Sequence, residues 1–325
     1  MAQIHKTTIK DVAKEAGVSF TLVSKFLTKN PQARMTDATR KKIEVAIKKL
    51  GYRPSASARA LRSGKTKTIG IVIGDLTNSY FAHIANIALK ELAAKGYQLI
   101  IALNDNDVDN NRVLQSLELR GVDGIIYLGS KKIDVKNISC PIAVNDMSLD
   151  GALEINPVFN IAITDAIKNM HGKILGMFFE NSLWDSEFKK STKSLSNASS
   201  IILPFPVEER KLAISEALKS KPDFIFISGW KTFLYIQKII ETEFKGYSPK
   251  FVLHANCQGD FLSNKNILGV IYSSTTELIS KTCDAIIQKI EIADTPLKKL
   301  SIDSHFIKAG SKEFSSLEKC EFKLT

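Results

Sequence analysis

The sequence predicts a small all-α unit followed by a larger α/β unit that has two lobes with doubly wound parallel sheets. The chain has 325 residues, enough for two or three folding units. Short amphipathic helices that end at glycines occupy the first fifth of the chain, and β-rich runs alternate with helical stretches from Thr68 onward. Charge divides the chain at the same place. Residues 1–67 hold 16 Lys and Arg against 4 Asp and Glu, while the other 258 residues have a net charge of −1.

Composition excludes several classes of protein. The hydrophobic fraction is 44%, and no apolar run approaches the roughly 18 residues that a membrane span requires. The N-terminal residues contain no apolar stretch of the kind found in secretory signals, so we expect a cytoplasmic protein. The cysteines lie far apart without the spacing of a metal site, which predicts four free thiols and no metal. We also expect no cofactor.

Three short helices are predicted at the N-terminus, over residues 9–16, 20–28 and 36–50. The first begins at Thr8-Ile-Lys-Asp11, which has the form of a capping box, and Gly17 supplies a left-handed stop. Ser19 is the next N-cap, and Gly51 ends the third helix. Two short helices joined by a tight glycine turn form a helix-turn-helix motif, here closed by a third helix.

The excess positive charge of this unit favours a polyanionic partner, because neutralised phosphates release condensed counterions. In a helix-turn-helix the N-terminal residues of the second helix reach base edges in the major groove; here these are Phe20, Thr21, Ser24 and Lys25. Lys25 can donate to guanine, Thr21 suits a base edge or a thymine methyl, and Phe20 offers apolar contact. Short hydroxyls suit phosphate contacts, with helix capping as the alternative: Thr8, Ser19, Ser24, Thr28 and Thr36.

A basic segment of small residues, 54–64, connects the two units. It is too short to be a stable helix alone, so it is either an ordinary linker or a helix that folds on contact with a partner. Ala58 and Leu61 would then share one face, with Leu61 as a wedge between bases of the minor groove and Arg59 and Arg62 at phosphates. The predicted domains are therefore 1–51 (DNA-binding), 52–66 (hinge) and 67–325 (two-lobed domain).

The larger unit shows the rhythm of parallel sheets, with a strand count that suits two doubly wound lobes rather than one sheet. Ligands bind beyond the carboxyl ends of such strands. This makes pocket candidates of four loops, 75–81, 145–147, 228–230 and 255–258. Strands are predicted over 69–73, 98–102, 124–128, 142–144, 174–179, 201–205, 224–228 and 251–254, and helices over 80–95, 110–120, 161–170, 208–219, 233–243 and 277–290.

A resemblance to a known family is carried by the ordered runs TIKDVAKEAGVSFTLVSKFL and TRKKIEVAIKKLGYRPSASARALRSGKTKTIGIVIGDLTNSYF. Over residues 7–128 the chain resembles a lactose-repressor (LacI/GalR) family regulator. The resemblance implies a periplasmic-binding-protein-like second domain, base reading by Phe20, Thr21 and Lys25, and a minor-groove wedge at Leu61. It places Ser19, Ser24, Thr28, Tyr52 and Ser55 near phosphates, and Ala58 and Leu61 on the hinge helix. Lys25 stands where the family commonly has arginine, so the compact ammonium group of lysine replaces the two-pronged guanidinium of arginine.

The resemblance also bears on an effector site. Glu187, Trp230 and Asn256 fall where sugar-binding relatives use arginine, aspartate and aspartate, so the family's usual sugar contacts are missing. Trp230 and Phe81 suit stacking of an aromatic or nucleoside-like ligand, or filling of a pocket that binds nothing. A protein partner, or no effector, is the alternative to an altered small molecule. The predicted effector residues are Asn78, Phe81, Asp146, Glu187, Trp230 and Asn256.

These inferences predict a nucleoid-associated homodimer that binds a pseudo-palindromic DNA operator and represses transcription under the control of an effector. The apolar faces of helices 80–95 and 110–120 are the predicted dimer contacts, although Ile84, Leu114 and Leu117 are equally explained as core residues. The motifs GxGxxG, GxSxG, HExxH and the P-loop are absent, which argues against an enzyme. A soluble ligand-binding protein or enzyme with a basic head is the second alternative.

Overall fold

The structure is a computed structural model that describes residues 7–28, 34–53, 60, 63–104, 109–129, 132–180, 182–254 and 264–320. The chain divides into two compact units, Met1–Thr66 and Lys67–Thr325. We call them the head unit and the core unit. Among the described helices, none has the length and apolar character needed to cross a bilayer. Cys140 and Cys283 are free thiols.

The head unit contains the three predicted helices: α1 (Ile9–Ala16), α2 (Phe20–Leu27) and α3 (Asp37–Leu50). The predicted capping box is confirmed, because the Thr8 hydroxyl accepts from the Asp11 amide at 3.4 Å and the Asp11 carboxylate accepts from the Thr8 amide at 2.8 Å. Gly17 and Gly51 end α1 and α3 with φ angles of 65° and 57°, where a side chain would be strained. Fully buried side chains from each helix form one small core: Val12, Val23 and Ile43.

The core unit has two lobes, each with five parallel strands in the order 2-1-3-4-5. The strands of the first lobe are β1 (Thr68–Ile73), β2 (Gln98–Leu103), β3 (Gly124–Tyr127), β4 (Ile142–Val144) and β5 (Leu153–Val158). Those of the second lobe are β6 (Ile174–Phe179), β7 (Ala198–Leu203), β8 (Phe224–Ser228), β9 (Lys250–His254) and β10 (Ile267–Ser273). A further strand, β11 (Lys299–Lys308), pairs antiparallel with β10 and parallel with β5, and so joins the lobes.

Helices cover the faces of both sheets. They are α4 (Ser79–Ala94), α5 (Asn110–Leu119), α6 (Asn160–Ile167), α7 (Leu183–Ser191), α8 (Val207–Leu218), α9 (Trp230–Glu243), α10 (Thr275–Glu291) and α11 (Lys312–Cys320). Helix α10 follows β10 of the second lobe but buries Ile279, Cys283 and Ile286 in the core of the first lobe. The chain therefore crosses between the lobes at β5, at β10 and at β11.

The structure confirms the predicted fold class and corrects several elements. Five elements are not predicted from the sequence: β5, α7, β10, β11 and α11. Strand β5 contains Pro157, and a proline argues against a strand when only the sequence is considered. In the structure Pro157 pairs with Ile302 of β11. The strand predicted over 201–205 lies at 198–203, because its first half contains two serines, which are not typical strand residues. The helix predicted over 233–243 begins at Trp230, directly after Gly229.

Two leucines on α5 offer a matched test of this packing. Leu117 is 2% exposed and packs against β1, where a Cβ added at Gly70 would lie 2.8 Å from its Cδ1 atom, whereas Leu119 is 89% exposed. We expect Leu117→Ala to lower the free energy of unfolding by about 2–5 kcal/mol and Leu119→Ala to change it by less than about 0.5 kcal/mol. Urea denaturation of both variants measures this, and equal effects would contradict the described register of α5.

Candidate nucleic-acid interface and ligand site

Helix α2 presents one face to solvent. Val23 is fully buried and fixes the opposite face against the head core, while Phe20 is 56% exposed and Thr21 and Lys25 are exposed. Residues three to four apart in a helix share a face, so these three side chains, with the partly buried Ser24, form one outward surface. The surface combines a cation, two hydroxyls and an aromatic ring, the groups that the sequence analysis assigns to base reading.

The hydroxyls predicted to bind phosphate differ in the hydrogen bonds that they already make within the head unit. Those of Ser19 and Thr36 accept the cap bonds of α2 and α3, from Leu22 N at 3.3 Å and Thr39 N at 3.2 Å. A hydroxyl that accepts still has its own hydrogen to donate. The Thr8 hydroxyl instead lies 2.7 Å from the Asp11 carboxylate, and that of Thr28 donates to the Ser24 carbonyl at 3.0 Å. Ser19 therefore fits a phosphate contact better than Thr8 or Thr28 does.

The remaining head residues are placed as follows. The Tyr52 ring packs against the head core and its amide donates to the Ile47 carbonyl at 3.1 Å. The guanidinium of Arg40 lies 5.9 Å from the centre of the Phe26 ring. The predicted hinge contacts lie outside the described residues: Ser55, Ala58, Arg59 and Leu61.

The two lobes of the core unit approach one another where their strands end. In a 2-1-3-4-5 sheet, ligands bind at the carboxyl ends near the point where the strand order reverses. The Lys231 ammonium at the start of α9 lies 3.1 Å from the Asp75 carboxylate after β1 and 3.2 Å from the Thr77 hydroxyl. The Thr77 hydroxyl, its amide and then Lys231 hold the pKa of Asp75 below its usual value. This ion pair bridges the lobes at the rim of a cleft.

A second bridge lies deeper and involves Asp146, the second residue after β4. The Ser182 hydroxyl, at the N-cap of α7, donates to Asp146 Oδ2 at 3.0 Å. The other carboxylate oxygen, Oδ1, is buried and has no partner among the described residues. Asp146 adopts φ +56°, a strained conformation for a residue other than glycine, and burial raises its pKa to about 7.

His254, at the end of β9, completes this site. Its Nδ1 accepts from the Trp184 indole N–H at 3.0 Å, so a neutral ring carries its hydrogen on Nε2, which is buried and has no partner among the described residues. Burial lowers the pKa of His254 to about 3, which keeps the ring neutral. The Trp184 ring stacks on Phe159 with centroids 4.0 Å apart, and the His254 ring lies 5.0 Å from Phe159.

The start of α7 contacts two buried residues that each keep an unpartnered polar atom. Asp146 Oδ1, beside Ser182, carries the carboxyl hydrogen when the group is neutral and is an acceptor when it is ionised, whereas His254 Nε2–H, beside Trp184, is a donor. Buried polar groups are ordinarily hydrogen-bonded, so each of these two atoms is a candidate ligand contact. His254, Ser182 and Trp184 are not predicted from the sequence, whose one local signal is the position of His254 at the end of a buried strand.

The other predicted effector residues have different surroundings. Asn78 caps α4 by accepting from the Tyr80 amide at 3.1 Å, and the Phe81 ring packs over Gly74. The Glu187 carboxylate lies 2.9 Å from the Lys190 ammonium on the same helix. Trp230 packs against the core of the second lobe, next to the Lys231 bridge. Asn256 lies outside the described residues.

Comparison with known proteins assigns both units. The family model described as bacterial regulatory proteins of the lacI family matches residues 8–55, and that of periplasmic binding proteins and the sugar-binding domain of the LacI family matches residues 66–148. Catabolite control protein A of Staphylococcus epidermidis is 32% identical over 241 residues, which cover 71% of this chain and 70% of that protein. The regulator RegA of Clostridium saccharobutylicum is 40% identical over 129 residues, or 39% of this chain and 38% of that protein. Catabolite control protein A of Staphylococcus aureus is 36% identical over 52% of each chain.

Solved structures share the fold at low sequence identity. The lac repressor dimer bound to operator and the anti-inducer ONPF superposes with a TM-score of 0.72 at 17% identity, covering 93% of this chain and 98% of that chain. The regulator CcpA of Lactococcus lactis gives a TM-score of 0.62 at 17% identity, covering 75% of this chain and 99% of that chain. The chain spans about half the length, or less, of the first curated relatives that it matches.

A helix-turn-helix head joined to a two-lobed, periplasmic-binding-protein-like unit is the architecture of a bacterial regulatory protein, not of an enzyme. The chain belongs to the lacI family of such regulators, as its opening residues indicate.

The buried pair predicts two opposite dependences of stability on pH. Unfolded His254 binds a proton below about pH 6.5 and folded His254 does not, so its contribution falls as the pH drops from 6.5 toward 3. Asp146 stays protonated in the folded chain up to about pH 7, so its contribution is present below pH 3.8 and is lost as the pH rises toward 7. In the intact protein the two slopes oppose one another between pH 4 and 6.5.

Single substitutions separate these slopes. Relative to the parent, Asp146→Asn should make the free energy of unfolding rise more steeply with pH between 4 and 6.5. The change in slope is up to about 1.4 kcal/mol per pH unit, because the substitution removes one proton that the folded chain binds and the unfolded chain releases. His254→Asn keeps an acceptor for Trp184 and should make stability fall with pH over the same range. Urea unfolding at a series of pH values measures both, and slopes that change in the same direction would contradict the assignment.

Proposed function

We propose that the chain is a homodimeric transcriptional repressor that binds a pseudo-palindromic DNA operator and is controlled by a ligand in the cleft of the core unit. The observation that carries this proposal is the outward face of α2, formed by Phe20, Thr21 and Lys25, in a head unit rich in Lys and Arg. A cation beside a hydroxyl on an exposed recognition helix matches the chemistry of base edges in the major groove. The predicted hinge, residues 52–66, would lie in the minor groove between the two heads.

A second copy of the chain is supported by exposed apolar side chains on neighbouring elements of the first lobe. On α4, Leu89 is 52% exposed, and on the edge strand β2, Ile101 and Leu103 are 42% and 47% exposed. An edge strand with apolar side chains ordinarily requires cover. Three other residues on the helices predicted to form the dimer lie in the core and are not free for an interface: Ile84, Leu114 and Leu117.

The ligand class follows from the buried pair in the cleft. Asp146 Oδ1 donates when its carboxyl is neutral and accepts when it is ionised, and His254 Nε2–H donates; burial keeps His254 neutral and raises the pKa of Asp146 to about 7, so that part of it is protonated near neutral pH. A small uncharged molecule that carries a hydroxyl or an amide fits such a pair, in place of an anionic sugar phosphate. One observation favours a regulator without a small ligand: Trp184 and Phe159 are 1% and 0% exposed and fill part of this region themselves.

Selection of bound sequences from a random DNA duplex pool, with the full chain at two salt concentrations, tests the proposal. Recovery of a pseudo-palindrome with a pyrimidine-purine step at its centre is the expected result, because such steps kink readily. Sequence-independent retention that disappears at the higher salt would overturn it, since the basic head would then be only an electrostatic anchor.

Lys25 should read one base per half-site. Replacing Lys25 with Ala removes the donor to guanine, and we expect preference at one position of each half-site to weaken by about 1–3 kcal/mol. Lys25→Arg is the matched control, since it keeps the charge and restores a two-pronged donor. Binding measured on a panel of single-base operator variants distinguishes the outcomes. A uniform loss of affinity across the panel would make Lys25 a phosphate contact.

A further inference from the structure

The first residue of the core unit, Lys67, is held by its backbone in an unusual conformation. Its φ is +55°, a left-handed value that costs a residue other than glycine about 1 kcal/mol or more. The Lys67 amide donates to Asp123 Oδ2 at 2.7 Å, and its carbonyl accepts from the Gln98 amide at 2.7 Å. The residue that precedes Lys67, Thr66, is the last of the predicted hinge, so Lys67 is the residue of the core unit that adjoins the hinge.

The Lys67 side chain is held as firmly as its backbone. Its ammonium lies 2.5 Å from Glu291 Oε1 and 3.2 Å from the Tyr97 hydroxyl, which itself donates to Glu291 at 2.7 Å. The ammonium also lies 4.4 Å from the centre of the Tyr97 ring, a cation–π distance. Tyr97 is 4% exposed, so the ring is fixed by the core of the first lobe. The hydrogen bond to Glu291 raises the pKa of Lys67, which keeps the side chain charged.

The partner of Lys67 is fixed in turn. Glu291 is the last residue of α10, whose Ile279, Cys283 and Ile286 are buried in the first lobe. The Thr282 hydroxyl on the same helix accepts from Asn145 Nδ2 at 3.0 Å, and that amide also donates to the Ile155 carbonyl at 2.7 Å. Helix α10 is therefore bound to β4 and β5, and the acceptor for Lys67 cannot move without them.

We propose that Lys67, Tyr97 and Glu291 form an anchor that sets the direction of the hinge and thereby the separation of half-sites that the dimer accepts. The inference rests on the proposed function, because it requires two heads bound to one operator. Half-sites read by such dimers lie a fixed number of helical turns apart. Each head reaches its half-site through its hinge, so a hinge that starts in one direction permits a narrow range of separations. A hinge whose junction with Lys67 is released samples more of them.

The experiment uses the full chain and the operator recovered by selection, together with versions that have one or two base pairs inserted or removed at the centre. The double variant Tyr97→Phe with Glu291→Gln removes the hydroxyl and the charge while keeping the size of both side chains. We expect its preference for the original spacing over the altered spacings to fall about fivefold, the upper range for a partly exposed ion pair. Base preference within each half-site should stay unchanged.

Asp284→Asn is the matched control. Asp284 lies on α10 and its carboxylate is 3.1 Å from the Lys95 ammonium, so the variant removes an ion pair of the same helix that does not touch Lys67. Its spacing preference should equal that of the parent. Lys67→Gly is a second test variant. Glycine adopts a positive φ without strain, and the substitution removes the ammonium group without a change in the buried core, so its spacing preference should fall as well. Thermal unfolding of each variant checks that all remain folded.

The outcomes separate the two proposals. A parent chain that binds DNA without sequence preference overturns the proposed function and the anchor with it. A specific parent whose double variant and Lys67→Gly variant both keep the full spacing preference overturns the anchor alone. Affinity lost equally at every spacing also overturns it, because the three residues would then serve only stability.

Discussion

Strand β11 is hydrogen-bonded to both lobes of the core unit, and the cleft between the lobes depends on that double pairing. It runs antiparallel to β10 and parallel to β5, with the Ser273 and Ser304 hydroxyls bonded to each other at 2.7 Å in the buried join. Because the lobes share this strand, the carboxyl ends of their sheets meet, and Asp146 of one reaches Ser182 of the other. The cleft is thus a consequence of the crossing, since neither lobe contains it alone.

The chemistry of the cleft is set by burial more than by charge. Burial moves the pKa of Asp146 upward and that of His254 downward, so both groups tend toward their neutral forms and act as hydrogen-bonding partners. The exposed rim behaves differently, because Lys231 and Asp75 remain an ion pair in contact with solvent. Exposed pairs of this kind contribute little to stability and are screened by salt. The rim therefore suits reversible closure, whereas the buried pair suits selection of a ligand.

The sequence predicts the local features of this protein well and its long-range features poorly, for physical reasons. Caps such as Thr8 and stops such as Gly17 act within one helical turn, so their residues lie side by side in the sequence. The bond between Trp184 and His254 joins residues 70 positions apart and leaves no periodic pattern. Strand β5 contains Pro157, so its identity depends on its partner β11, which follows α10 much later in the chain. The exposed face of α2 was predictable from the sequence; the unpartnered polar atoms of Asp146 and His254 were not.

Helix α10 connects the cleft to Lys67, the residue that follows the predicted hinge. Thr282 of α10 bonds to Asn145, the residue next to Asp146 in the chain, and Glu291 at the end of α10 bonds to Lys67. Nine residues separate the two contacts, about 14 Å at the rise of an α-helix. Under the proposed function, a ligand that binds Asp146 acts next to the hydrogen bond between Asn145 and Thr282 of α10. Packed helices commonly shift as units, so Thr282 and Glu291 are coupled through α10. The proposed regulation would then require no change of fold, only a change in where the end of α10 holds Lys67.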